Sequence, residues 1–421
     1  MPKRLSLVIA CHGLSRCSIP PLLSSLEGSG LDREVRVRLV RSSGGLLSLA
    51  DALAGAAAEE ASRAEVVAVC MGFMTPMVGE ALEVVKRVRE AAPEAVMVAG
   101  GPHPTGDPEG TIGVLGFDCV VVGEGERAFP RLVEELLSRG ACRGVLRGGR
   151  ADLDSSRPYS LGHRLAAPAI EIMRGCPHGC KYCQTPRIMG FRPRYRSVES
   201  IVECVEVLVG EFGRRDVRFV APNGFAYGSR DGRTPDPSRL GDMLEAVRAV
   251  EGVRNVFLGT FPSEVRPESV TPEVLEVVRR HVSNRRLAIG IQCGSDRVLE
   301  AIGRGHTVEE GLRAVECARR YGFQPYVDLM FGLPGEREGD MLETLRLARR
   351  LARMGARVRL HTYMPLPGTP LWGAGWAEIP PRILEAMDEL VRRGLADGYY
   401  REQLEAREVI RWYQSLARGN R

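Results

Sequence analysis

The chain has 421 residues, 44% hydrophobic and 26% charged, with a formal net charge of +5. That length suits two or three domains, and that composition excludes a disordered or low-complexity chain. The mild basic excess is almost all arginine, since only Lys3, Lys86 and Lys181 are lysine, and it does not indicate a nucleic-acid partner. No window of eighteen apolar residues occurs, so no membrane span is expected. The opening MPKRLSLVIACHG has too short an apolar run for a secretory signal. LSLVIA reads instead as a buried strand, and a cytoplasmic setting is expected. Eleven cysteines, odd in number and widely spaced, do not make a secreted disulfide framework.

Residues 1–150 alternate apolar runs with helical patterns. Strands are predicted at 5–10, 35–40, 66–70, 96–99 and 119–122, with helices near 45–60, 78–91 and 126–139. Runs apolar on both faces and separated by helices imply a doubly wound, Rossmann-like parallel sheet. Ligands in such folds sit beyond the strands' carboxyl ends. Three segments there read as ligand loops: CHGLSRC from Cys11, GGPHPTGDP from Gly100 and GEGE from Gly123. A polar, turn-rich stretch at 147–166 reads as a linker, placed at 151–167 between domains.

A second series of strands begins at 168, with runs at 169–173, 216–220, 255–259, 287–291, 326–330 and 358–363. Helical patterns at 197–212, 236–250, 271–284, 307–321 and 340–355 separate them. Six such units are too few for a closed eight-strand barrel and suit a partial (β/α)6 barrel at 168–372, with functional groups at the strand carboxyl ends. Residues 373–421 read as a C-terminal helical extension.

Residues 176–186 read CPHGCKYCQTP, just after the first barrel strand. Structural zinc usually takes four soft ligands, and no further CxxC pair follows. Cys176, Cys180 and Cys183 at CxxxCxxC spacing suit three irons of a cubane cluster, leaving the fourth iron open to a ligand. With these residues the chain resembles the radical S-adenosylmethionine (radical SAM) superfamily. The resemblance continues through APNG at 221–224, IQCGSDRVLEAIGRGHT at 291–307, DLMFGLPGE at 328–336 and YMPLPGTPL at 363–371.

It implies a [4Fe-4S] cluster on the three cysteines and a 5′-deoxyadenosyl radical made from S-adenosylmethionine. It also implies a low-potential electron donor of the flavodoxin or ferredoxin kind. Carried over by motif, Tyr182 packs near the adenine and Pro222, Asn223 and Gly224 meet the methionyl amine. Gln292 and Ser295 bind carboxylate or ribose, and Gly332, Pro334, Tyr363, Met364 and Pro365 shape loops around the cofactor. Cys293 stands where the family commonly has serine and reads as a buried thiol. Arg304 and His306 are expected in a solvent-facing loop, with substrate contact as the alternative.

The first domain resembles the cobalamin-binding domain that precedes the barrel in one branch of this superfamily. Gly100, Gly101, His103, Thr105, Gly123 and Glu124 match that branch's loops, and Met74 and Thr75 would approach the lower corrin face. The DxHxxG stretch that brings an imidazole to cobalt is missing, and the neighbours that His12 would need for that task are absent. The branch implies a cobalamin-dependent methyltransferase acting on an unactivated carbon. Two alternatives stand beside it. One is a methylthiotransferase-like enzyme acting on RNA or protein, with a second cluster on Cys11, Cys17 and Cys70. The other is a non-catalytic iron–sulfur module.

Overall fold

The computed structural model describes residues 4–419. The chain divides into two compact units, each treated by itself below. The first comprises residues 1–168, 366–368 and 407–421; the second comprises 169–365 and 369–406.

The first unit is a doubly wound sheet. Its strands are β1 (Leu5–Cys11), β2 (Val35–Arg41), β3 (Val66–Gly72), β4 (Val96–Gly100), β5 (Cys119–Val122) and β6 (Gly144–Arg147), in the order β2-β1-β3-β4-β5-β6. Every neighbouring pair is parallel. Helices α1 (Ile19–Ser29), α2 (Ala50–Ala61), α3 (Val78–Ala91), α4 (Pro102–Gly106), α5 (Pro108–Gly113) and α6 (Gly125–Arg139) connect them. In β1 the residues Leu5 to Ala10 are all buried, as a strand covered on both faces requires. Leu7, Leu23 and Leu132 are fully buried in one cluster beneath α1 and α6, so Leu7→Ala would cost about 2–5 kcal/mol. Helix α1 stops at Gly30, which takes φ 77°, a left-handed cap open to glycine without strain.

Three features were not expected from the sequence. Helix α1 lies where CHGLSRC gives way to a proline pair, a signal that reads as a turn but is a proline start to a helix. Strand β6 lies just ahead of the turn-rich stretch. Within that stretch β7 (Tyr159–Ser160) and β8 (Leu165–Ala166) form a short antiparallel pair.

The second unit carries the barrel series. β9 (Ile170–Glu171), β12 (Asp216–Val220) and β13 (Asn255–Phe257) pair in the order β13-β12-β9. β10 (Met173–Arg174) and β11 (Arg194–Tyr195) make a separate antiparallel pair. β14 (Arg286–Gln292), β15 (Gln324–Phe331), β16 (Arg357–Thr362) and β17 (Ala396–Asp397) form a parallel sheet in that order. A parallel bridge from Val265 to Ile289 joins the two series. The helices are α7 (Thr185–Met189), α8 (Val198–Gly210), α9 (Pro237–Ala249), α10 (Pro272–His281), α11 (Asp296–Ala301), α12 (Val308–Arg320), α13 (Glu338–Arg353) and α14 (Pro381–Arg392). α12 opens with a capping box: Thr307 Oγ1 accepts from the Glu310 amide at 3.2 Å and the Glu310 carboxylate accepts from the Thr307 amide at 2.7 Å.

The last helix, α15 (Tyr400–Gly419), belongs to the second unit up to residue 406 and to the first from residue 407. Strand β17, a seventh parallel strand, was not anticipated; two residues are too few to leave a period in the sequence. Among the described residues no helix is long and apolar enough to cross a membrane.

Candidate active site

The loop after β10 holds the three cysteines. Gly175 at φ 89° opens it, and a side chain there would meet the Arg192 carbonyl at 2.8 Å. Gly179 at φ 66° turns the chain between Cys176 and Cys180. Both angles are in the left-handed region that favours glycine. The Cys176 amide donates to the Gly190 carbonyl and the Lys181 amide to that of Ile302, so the loop is pinned at both ends.

Cys180 is buried, while Cys176 and Cys183 are partly open. Two guanidiniums face the Cys180 sulfur: Arg266 Nη1 and Arg304 Nη1 each lie 3.6 Å away. Burial would raise this thiol, but Arg304 and Arg266 outweigh it and hold it below its ordinary value. Burial leads in the other direction at Cys176 and Cys183, which are pushed up. Among the described residues no three His, Cys, Asp or Glu side chains gather closely enough to hold a single ion. An electron-rich thiolate cluster fits the paired guanidiniums.

The solvent-facing loop expected for Arg304 and His306 is not found. Both are buried, at 8% and 5% exposure. Arg304 also donates to the Gly290 carbonyl at 2.6 Å, and His306 Nε2 bonds the Ile291 carbonyl at 3.1 Å. Burial, with Arg304 and Arg266 beside it, brings the His306 imidazole down to about 3. The physical reason is that α11 is short and its following turn folds back over β14, a tertiary event with no local signal. Arg266 was missed by sequence reasoning because its segment carries no regular strand period.

The other barrel residues fall as follows. Tyr182 packs against the cluster formed by Cys293, Val298, Leu299, Ile302, Leu333 and Tyr363. Asn223 donates to Ser269 Oγ at 2.8 Å and accepts from the Arg266 amide at 3.4 Å. Pro222 is half-buried beside it, and the Gly224 amide donates to the Glu264 carbonyl. Gln292 takes φ 81°, a left-handed angle rare outside glycine, where the register of β14 slips against β15. Ser295 Oγ is engaged with Asp340 Oδ1 at 2.7 Å. Cys293 is fully buried, with its sulfur 3.4 Å from Thr344 Oγ1, and burial pushes its thiol up to about 12. The Gly332 amide is held by Glu336 Oε2 at 2.6 Å, and Pro334 follows half-buried. Tyr363 donates to the Leu371 carbonyl at 3.0 Å, with Met364 half-buried and Pro365 buried next to it.

In the first unit, the matched loops do lie at the carboxyl ends of β3, β4 and β5. A side chain at Gly101, φ 92°, would meet the Phe73 amide nitrogen at 3.1 Å and its carbonyl at 3.2 Å. At Gly100 and Gly123 a Cβ would meet nothing within 4 Å, so open space lies over both. The Gly123 amide donates to Thr105 Oγ1 at 3.1 Å. This open, backbone-lined cradle fits a bulky planar ligand. Met74 is half-buried at its edge.

His103 and Glu124 are instead turned into the protein. His103 is fully buried, stacked on Phe73, edge-on to Tyr413, with Nδ1 3.3 Å from Thr75 Oγ1. Burial brings its imidazole down to about 4, against a smaller opposing pull from Asp107. Glu124 accepts from the Ala151 amide at 2.8 Å. Of the cysteines weighed for a second cluster, Cys17 is exposed, Cys70 is buried in the core cluster and Cys11 packs against it. Burial pushes Cys70 up to about 12 and Cys11 to about 11, which suits apolar packing rather than thiolate ligands.

A doubly wound sheet with a glycine cradle, and a βα barrel series with a guanidinium-flanked cysteine loop, define the class: a two-domain α/β protein with a candidate cofactor site in each domain. Comparison with known families agrees. The Radical SAM superfamily matches residues 170–348 and the B12 binding domain matches residues 25–133. The chain belongs to the radical SAM superfamily, in the branch that carries an N-terminal B12-binding domain. Its cofactors are those of the two domains, a [4Fe-4S] cluster with S-adenosylmethionine, and cobalamin.

Among its relatives is an uncharacterized protein of Methanopyrus kandleri, 28% identical over 70% of this chain and 64% of its own. The tRNA-2-methylthio-N(6)-dimethylallyladenosine synthase of Moorella thermoacetica is 30% identical, over 72% of this chain and 66% of its own. The chain thus spans just under two thirds of the length of these relatives. The structure of the radical SAM methyltransferase TsrM of Kitasatospora setae, with cobalamin and a [4Fe-4S] cluster bound, superposes with a TM-score of 0.63 at 17% identity. That match covers 88% of this chain and 77% of the other. At that identity the likeness concerns the fold.

Proposed function

We propose that the protein is a cobalamin-dependent radical SAM methyltransferase acting on an unactivated carbon. The observation that carries this reading is the pairing, in one chain, of the open glycine cradle with the guanidinium-flanked cysteine loop. When bound, the cluster and S-adenosylmethionine supply a hydrogen-abstracting 5′-deoxyadenosyl radical and cobalamin supplies a methyl group.

The chain's own residues do the rest. Cys176, Cys180 and Cys183 are the proposed iron ligands. Arg266 and Arg304 offset negative charge at Cys180, where water is largely excluded. Asn223, tied to Ser269 and Arg266, fixes the loop between β12 and the site. Glu336 holds the amides of Gly332 and Leu333 and so sets the turn after β15. Gly100 and Gly123 leave room for the corrin, Gly101 lets the loop pass close to the Phe73 backbone, and His103 acts as a wall behind the cradle. A low-potential electron donor is required as partner.

The test is anaerobic purification with added hydroxocobalamin, followed by an absorption spectrum and assay of methyl transfer. A corrin band co-eluting with the iron–sulfur chromophore is expected, together with 5′-deoxyadenosine that is absent from Cys180→Ala. The similarity to the Moorella tRNA-modifying enzyme favours a second reading, a two-cluster methylthiotransferase. About eight irons per chain, lost in part on Cys11→Ala and Cys70→Ala, would establish that reading; about four would support ours.

A further inference from the structure

Strands β15 and β16 each have an apolar and a polar face. Val327, Leu329 and Phe331 of β15 and Val358, Leu360 and Thr362 of β16 are buried on one face. Tyr326, Asp328 and Met330 alternate with them, as do Arg357, Arg359 and His361. Met330 packs on the cluster that also receives Tyr182 of the cysteine loop. Asp328 is two residues back on the same face, about 7 Å along the strand.

At that level four titratable side chains meet. Arg359, the register partner of Asp328, places Nε 2.6 Å from Asp328 Oδ1 and donates from Nη2 to Oδ2 at 2.8 Å. The same Nη2 lies 3.2 Å from Glu264 Oε1. His361 Nε2 is 3.2 Å from Asp328 Oδ1, and Gln403 Nε2 is 3.3 Å from His361 Nδ1. Gln403 Oε1 accepts from the Thr362 amide at 2.7 Å, so its nitrogen is the end that donates to the imidazole. The imidazole therefore accepts at Nδ1 and donates at Nε2. Asp328 is fully served by Arg359 and His361. Glu264 has one bond, and its Oε2 accepts none among the described residues. Two carboxylates share one guanidinium, which leaves one negative charge in surplus.

The surplus charge is within reach of solvent. The Glu264 side chain is 40% exposed and those of Arg359 and His361 are 23% and 24% exposed. Burial nevertheless raises the Glu264 carboxyl, followed by Asp328 and opposed by Arg359. Glu264 and Arg266 flank the buried Val265 and share one face of their segment, and Arg266 is the residue that reaches Cys180.

We propose that this side-chain cluster is the substrate's anchoring site and that it takes a cationic nitrogen, an ammonium or a guanidinium, on the free oxygen of Glu264. This rests on reading the barrel as the chamber of a radical enzyme. A substrate amine held there completes the second bond of Glu264 and cancels the surplus charge. It anchors one end of the substrate a strand step from the level of Tyr182.

The test uses cluster-reconstituted protein without cobalamin or turnover, so failure of the methyl-transfer reading leaves its outcome untouched. Saturation-transfer NMR is recorded with n-butylammonium, n-butyrate and n-butanol. Saturable binding of the ammonium is expected, at least tenfold tighter than the alcohol or the carboxylate, and at least tenfold weaker in Glu264→Gln. Equal binding of the alcohol or of butyrate overturns the proposal, as does unchanged ammonium binding in Glu264→Gln. The comparison of the three probes on the unaltered protein decides the matter even if that variant does not fold.

Discussion

Arg304 Nη1 lies 3.6 Å from Cys180 Sγ, and Arg266 Nη1 lies at the same distance from the same sulfur. Neither guanidinium is adjacent to the cysteine in sequence. They come from the turn after α11 and the segment after β13, and Arg266 also donates to the Arg304 carbonyl. One sulfur of three is therefore singled out for charge stabilisation.

Removing that charge should make the cluster harder to reduce. Arg304→Gln and Arg266→Gln are each expected to lower the cluster's midpoint potential by roughly 60 mV or more, a tenfold change in a one-electron equilibrium. Redox titration followed by electron paramagnetic resonance measures it, with iron content as the check that the cluster is retained. An unchanged midpoint would show that the guanidiniums serve packing alone.

The turn after β14 has its own acid dependence. Asp340 accepts from Ser295 Oγ at 2.7 Å and from the Arg337 amide at 2.8 Å, and it pairs with Arg297. Burial would raise its carboxyl, but Arg297, Ser295 and the amide outweigh this and hold it down to about 2, from an ordinary 3.8. A depressed carboxyl contributes stability above its unfolded value and loses it as the pH falls toward the folded one. Asp340→Asn should cost about 1–3 kcal/mol at pH 7. The gap between variant and parent, from urea unfolding of the cluster-free protein, should close between pH 4 and pH 2. A constant gap would mean the charge is irrelevant.

Two adjacent glycines in the cradle should respond differently. Gly101→Ala places a methyl 3.1 Å from the Phe73 nitrogen at φ 92°, and a cost of about 1–3 kcal/mol in stability is expected. Gly100→Ala meets nothing and should leave the thermal midpoint within a degree or two. Its methyl stands in the open space of the cradle, so retained cobalamin should fall. Thermal melts and the corrin absorbance of purified protein separate the two effects.

Tyr413 is fully buried and donates to Asp107 Oδ2 at 2.8 Å. Asp107 in turn caps α5 through the Gly110 amide at 3.1 Å. Tyr413→Phe leaves the ring in place and a buried carboxylate oxygen short of a donor, which should cost about 1–3 kcal/mol. Equilibrium unfolding monitored by circular dichroism checks it.

Strands that are apolar throughout, such as Leu5–Cys11, were legible because a doubly covered strand leaves an unbroken run. The cysteine loop was legible because its chemistry is local and fixed by spacing. Arg266 and Glu264 were not, because their segment joins the barrel through one bridge at Val265 and carries no period. Nor was the inward turn of His103, whose neighbours include a ring more than three hundred residues away. Of the four aromatics near the end of the sequence that read as packing residues, Tyr400 and Tyr413 are buried at 5% and 0% exposure, while Tyr399 and Trp412 are exposed at 67% and 40%.

Residues from 407 onward group with the first unit, and Tyr413 is set against His103 and Asp107. During synthesis the N-terminal sheet therefore emerges first but must wait for the segment around Tyr413 before that wall can close. Until then His103 and Asp107 lack the ring that covers them. The sheet is an unfinished body until that distant segment, 306 residues beyond Asp107, has joined it, and only then is the back of the cradle walled.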